Sequence, residues 1–129
     1  MTDPTDPCAG LDMPLRGFVA RFDVRAYWDA HEHLEGFWQH DRRALWQALI
    51  QLAATFVHVD AGRWRGAASV LRRAVTRLAQ APPDDALDVA RLHADASALL
   101  HHLEARQRDA SVAFDERHRL RMAAYVRTS

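Results

Sequence analysis

The sequence predicts an all-α domain: a compact up-and-down helical bundle of about four main helices behind a short leading helix. Three observations predict it. Strong helix formers dominate the composition, while Gly and Pro number only five each. Apolar residues recur at helical spacing through most of the chain. The links between these periodic stretches are short, which makes successive helices antiparallel neighbours. At 129 residues, such a chain buries roughly two-thirds of its unfolded surface as one domain, without help from disulfides or a structural metal.

Residues 1–10 (MTDPTDPCAG) are polar and proline-bearing and read as a disordered tail. The bundle is expected over residues 11–108. A short helix from about Pro14 to Arg21 groups Leu15, Phe18 and Val19, and Asp23 is placed to cap the helix that follows. That helix, near Val24 to His40, sets Tyr27, Leu34 and Trp38 within about 60° of His31, with Ala30 and Phe37 beyond them. Asp29, His33 and His40 fall on the far side, toward water, whereas Glu35 stands about 40° from His31 on the side away from the stripe.

The next helix, near Arg43 to Val59, carries Leu45, Leu49, Leu52, Ala53 and Phe56 on one face, and Trp46, Ile50 and Val57 widen its apolar arc. Gln47, Gln51 and His58 gather into a polar seam about 40° wide. Gly62 marks a break, and a helix from Gly66 to Gln80 repeats Ala67, Val70, Leu71, Ala74 and Leu78. Pro82-Pro83-Asp84-Asp85 turns the chain, either Asp being able to cap the helix from Ala86 to about Arg108. Residues 109–129 form a C-terminal extension, either a further helix or a packed tail.

Lys and Arg total 17 and Asp and Glu total 17. A balanced chain lacks the basic excess of a protein that works on phosphate backbones, so no nucleic-acid partner is expected. No apolar run is long enough to span a membrane, so no membrane partner is expected either. The single Cys8 has no partner for an intramolecular disulfide, and no secretory signal pattern opens the chain. A cytoplasmic location is the expectation.

The run Tyr27-Trp28-Asp29-Ala30-His31-Glu32-His33-Leu34-Glu35-Gly36-Phe37-Trp38 resembles the signature of a family of small bacterial helical domains, domain of unknown function 309. Leu49-Ile50-Gln51-Leu52-Ala53-Ala54 with His58 resembles its second motif, and Gly62 with Arg65-Gly66-Ala67 its third. The likeness runs from about Phe18 to Leu78 and continues more weakly to Leu103. Ala48, Arg63 and Asp29 depart from the pattern, where Gly, Asn and Glu are more usual. The resemblance implies a compact all-α fold and no established activity.

One polar constellation stands out: His31, Glu32, Glu35, Gln51 and His58. Imidazole and carboxylate four residues apart project from one helix face, and His31, Glu35 and His58 together could hold a divalent cation that activates water. The competing reading is a hydrogen-bonded network that locks two helices in register. The string from His31 to Glu35 is not the zinc-protease pattern, since Glu35 stands where the second His belongs. Trp28, Trp38 and Trp64 are the aromatic candidates for a pocket or an interface. Trp64, between Arg63 and Arg65, reads as an anion-stacking residue or a staple across the loop.

These features point to a non-catalytic helical module that associates with itself, its His/Glu cluster mainly structural and with no cofactor. The wide apolar arc of the Arg43 to Val59 helix motivates the homo-oligomer. The alternative is a small metal-dependent hydrolase using His31, Glu35 and His58.

Overall fold

In a computed structural model, which describes residues 11–127, five α-helices follow one another. They are α1 (Met13–Asp23), α2 (Tyr27–Trp38), α3 (Ala44–Asp60), α4 (Trp64–Gln80) and α5 (Val89–Arg108). Two short 3-10 turns, Glu116–His118 and Met122–Tyr125, lie in the segment behind them. The expected all-α bundle is what forms; among the described residues the strand-like pairing is an isolated bridge between Leu87 and Val126. The tail expected over residues 1–10, with Cys8, lies outside the described residues.

The helix ends follow from local chemistry. Asp12 caps α1 by accepting the Leu15 N–H at 3.3 Å, with Pro14 in the first turn, where its missing N–H does no harm. At the other end the Arg25 N–H reaches the Phe22 carbonyl at 3.0 Å and the Ala26 N–H reaches Arg21 at 2.9 Å. With Arg25 at φ 65°, this is a Schellman stop. It keeps Asp23 inside α1, so Asp23 does not cap α2 as expected; Ala26 holds that position without a side-chain bond. The same stop closes α3, through Gly62 to Val59 at 3.0 Å and Arg63 to His58 at 2.9 Å, with Gly62 at φ 71°. Asp84 accepts the N–H groups of Ala86 and Leu87, and Asp88 caps α5 through Arg91.

The principal packing joins chain neighbours: α1 to α2, α2 to α3, α3 to α4 and α4 to α5. Hence α3 is covered on two sides, and its wide apolar arc, Trp46 and Ile50 included, is buried within the molecule, with Val57 partly buried against the same core. That arc therefore offers nothing to a second copy. Among the described residues, the large apolar side chains that face water belong to the first two helices and the turn between them: Met13, Val24, Trp28 and Phe37.

Residues 109–127 add no further α-helix. The segment lies against both α1 and α5, burying Leu120, Met122 and Tyr125. Arg119, whose side chain is 10% exposed, donates to Asp60, Glu116 and the Tyr27 hydroxyl and lies near the rings of Phe56 and Phe114. Tyr125 donates to Asp95 on α5 at 2.6 Å. The segment thus ties together the first and last helices of the row. No helix of the described residues is long and apolar enough to cross a membrane.

Candidate functional site on the outer face of α2

Because α2 turns Tyr27, Ala30 and Leu34 inward, the residues from about 100° to 170° round on the His31 side of that stripe face out. These are Trp28, Glu32 and Glu35, with Gly36 just beyond them and His31 at the border. The Trp28 side of the face is built by stacking. Its ring lies parallel to that of His31, with centroids 5.1 Å apart and planes 6° apart, while the residue stays 59% exposed.

On its other side, His31 Nδ1 lies 3.3 Å from Glu35 Oε2 and 3.9 Å from Glu32 Oε1. Neither contact is aligned as a hydrogen bond, so this buried ring nitrogen has no true partner. One donor atom from each of His31, Glu32 and Glu35 falls within a 4.8 Å group. The side chains of Glu32 and Glu35 are 57% and 42% exposed. The three residues all stand on α2, with the carboxylates at the surface instead of in a helix interface.

Gln51 and His58 do not join them. Their seam on α3 faces α4: Gln51 Oε1 accepts from Arg77 at 3.1 Å, and the His58 ring lies over Gly66. A Cβ at Gly66 would sit 2.8 Å from His58 Nδ1, so the absence of a side chain there is what admits the imidazole. Burial, then the charge of Arg63, pushes the His58 pKa down. The cation set of His31, Glu35 and His58 is therefore not assembled; Glu32 stands where His58 was expected.

The remaining aromatics hold the structure together. Trp38 is partly buried, with the Arg42 guanidinium 4.9 Å from its ring centre. Trp64 opens α4, stacks with Phe114 at 5.8 Å and carries the Arg106 guanidinium at 4.2 Å. It is a staple onto the C-terminal segment.

Three other features escaped the sequence reading. His33, expected in water, lies over Gly17 of α1, where a Cβ would come within 2.2 Å of Nε2. His102 Nε2 accepts the Asp115 N–H at 2.9 Å, and its ring stacks on His118 at 4.7 Å. The arginine face is on α4, where Arg65, Arg72 and Arg73 are exposed. Of the C-terminal arginines, Arg119 is largely buried in its ion pairs and Arg117 is paired with Asp115.

Comparison with known families bears on the same helices. Residues 15–70 match the model of the family described as Domain of unknown function (DUF309). The resemblance carried by the three motifs is thereby borne out over this stretch, which holds α1 to α3 and the start of α4. No curated protein and no solved structure matches the chain.

Proposed function

We propose that this chain is a non-catalytic helical module that associates with itself, using the outer face of α2 as its contact. The observation that carries this reading is Trp28, 59% exposed although stacked in one orientation by His31. An aromatic side chain already ordered in the free protein loses little entropy on docking, and exposed tryptophans are favoured anchors of interfaces. On this reading the His/Glu cluster is structural in a particular sense: Glu35 flanks His31, and His31 sets the plane of Trp28. Size-exclusion chromatography with light scattering over a range of concentrations tests it. Mass above that of the monomer is expected for the native chain, and Trp28→Ala should return it to monomer. Monomer mass at every concentration would remove the reading.

A second reading rests on a separate observation, the donor set of His31, Glu32 and Glu35. One imidazole and two carboxylates on an open helix face suit a divalent cation of the zinc, manganese or iron kind. With solvent on the open side, such an ion could activate water for hydrolysis. Its test is the metal content of protein purified without chelator. Near-stoichiometric metal that disappears in His31→Ala/Glu35→Ala would favour this reading over the first.

A further inference from the structure

The charges of this chain balance in sum but not in place. Helix α2 carries Asp29, Glu32 and Glu35 and no Lys or Arg; α4 carries four arginines and no Asp or Glu. Outside α4, four arginines have a carboxylate within 4.0 Å: Arg25 with Glu116, Arg43 with Asp41, Arg117 with Asp115, and Arg119 with Asp60 and Glu116. Among the described residues, no arginine of α4 has a carboxylate within 4.0 Å, and no carboxylate of α2 has an arginine.

Unlike faces of a chain with zero net charge attract one another without whole-molecule repulsion to oppose them. We propose that copies of this chain associate by unlike faces, the acidic face of α2 in one copy docking on the arginine face of α4 in another. The inference rests on the self-association proposed above and specifies its partner surface.

The two faces match in several respects. Arg65, Arg72 and Arg73 span about 12 Å of helix, and Asp29 to Glu35 about 9 Å, at the rise of 1.5 Å per residue. Trp28 has one ring face on His31, and its open area suits an arginine guanidinium, as Trp64 already receives Arg106 at 4.2 Å within the molecule. Gly36 stands beside Glu32 on the same face, and a Cβ built there meets nothing within 4 Å. No packing inside one copy requires that glycine, while a helix from a second copy can approach its bare backbone closely. A contact between unlike faces closes as a two-fold dimer if both pairs form together, and otherwise as a ring or open chain.

Sedimentation velocity of the full chain tests this with two charge reversals, Glu32→Arg/Glu35→Arg and Arg72→Glu/Arg73→Glu. The native chain should associate in dilute salt and weaken roughly tenfold or more as salt approaches 1 M, where charges are screened within about 3 Å. Each reversed variant should be monomeric alone, and an equimolar mixture of the two should associate again. Recovery on mixing also shows that both variants are folded. If the native chain associates and the reversals leave it unchanged, the pairing of α2 with α4 is overturned while self-association stands. If the native chain is a monomer throughout, both fall.

Discussion

The two carboxylate oxygens of Asp23 accept the backbone N–H groups of Met122 and Ala123, at 2.6 and 2.9 Å. The last residue of the first helix thereby caps a turn at the other end of the chain. The Schellman stop at Arg25 makes this geometry available, because it holds Asp23 in the final turn of α1 with its side chain free to reach the C-terminal segment. Asp23→Ala leaves two partly buried N–H groups without an acceptor and should cost about 1–3 kcal/mol. The midpoint of urea unfolding reads the loss. Asp23→Asn keeps one acceptor and should recover part of it.

His58 and Gly66 form the second dependency. With the imidazole seated where a side chain at Gly66 would stand, Gly66→Ala must push the ring or the helix aside, at a cost of about 1–3 kcal/mol. The double variant His58→Ala/Gly66→Ala frees that volume, so its loss should be smaller than the sum of the two single losses. Strict additivity would show that the ring is not what excludes the methyl group.

Gly36 behaves in the opposite way. It sits inside α2 with open space where its Cβ would be, so Gly36→Ala should stabilise the isolated chain by about 0.5–1 kcal/mol through backbone entropy. The same substitution should weaken association through the α2 face. Thermal unfolding and sedimentation of one variant would then move in opposite directions; a rise in both would place Gly36 outside the contact.

Glu35 separates surface pairing from helix glue. Its contact with His31 is an i,i+4 pair on a carboxylate that is 42% exposed. Glu35→Ala should therefore cost no more than about 0.3–0.5 kcal/mol. A loss of about 1–3 kcal/mol would restore the buried network expected from sequence.

The pattern of success is itself physical. Helix periodicity was legible because burial is averaged over many residues: Leu45, Leu49, Leu52 and Phe56 all turn inward as their spacing requires. The face of α2 was legible for the same reason, since His31 and Glu35 share it by angle alone. What periodicity cannot tell is which neighbour a polar residue meets. Gln51 and His58 share one seam, as their spacing requires, yet the seam faces α4 and not α2. Helical angle alone sends His33 to water, and Gly17, sixteen residues earlier, offers no spacing signal for the room it leaves. His102, and the reach of Asp23 to Met122, depend on where an irregular segment returns, which no local pattern encodes.

The last expectation concerns acid. Burial lowers the pKa of His33, His58 and His102, with help from Arg21 at the first, Arg63 at the second, and His118 and Arg106 at the third, where Asp115 opposes. The fold therefore prefers these imidazoles neutral, and the unfolded chain binds protons more readily. Stability from this source is complete above the unfolded value near 6.5 and is lost as pH falls from there through the lower folded values. For His102 the structural reason is explicit: Nε2 accepts the Asp115 N–H, and a protonated ring cannot accept. Unfolding free energy should be level from about pH 7 to 8 and decline below about 6.5, each histidine adding at most about 1.4 kcal/mol per pH unit. Glu116, held low chiefly by its hydrogen bond from Arg119, adds its own loss only further down, in the carboxylate range. His102→Gln removes one titrating ring and should flatten the first decline without moving the second. An unchanged slope between pH 5 and 7, in that variant and in the corresponding variants of His33 and His58, would mean that these rings titrate alike in the folded and unfolded chain.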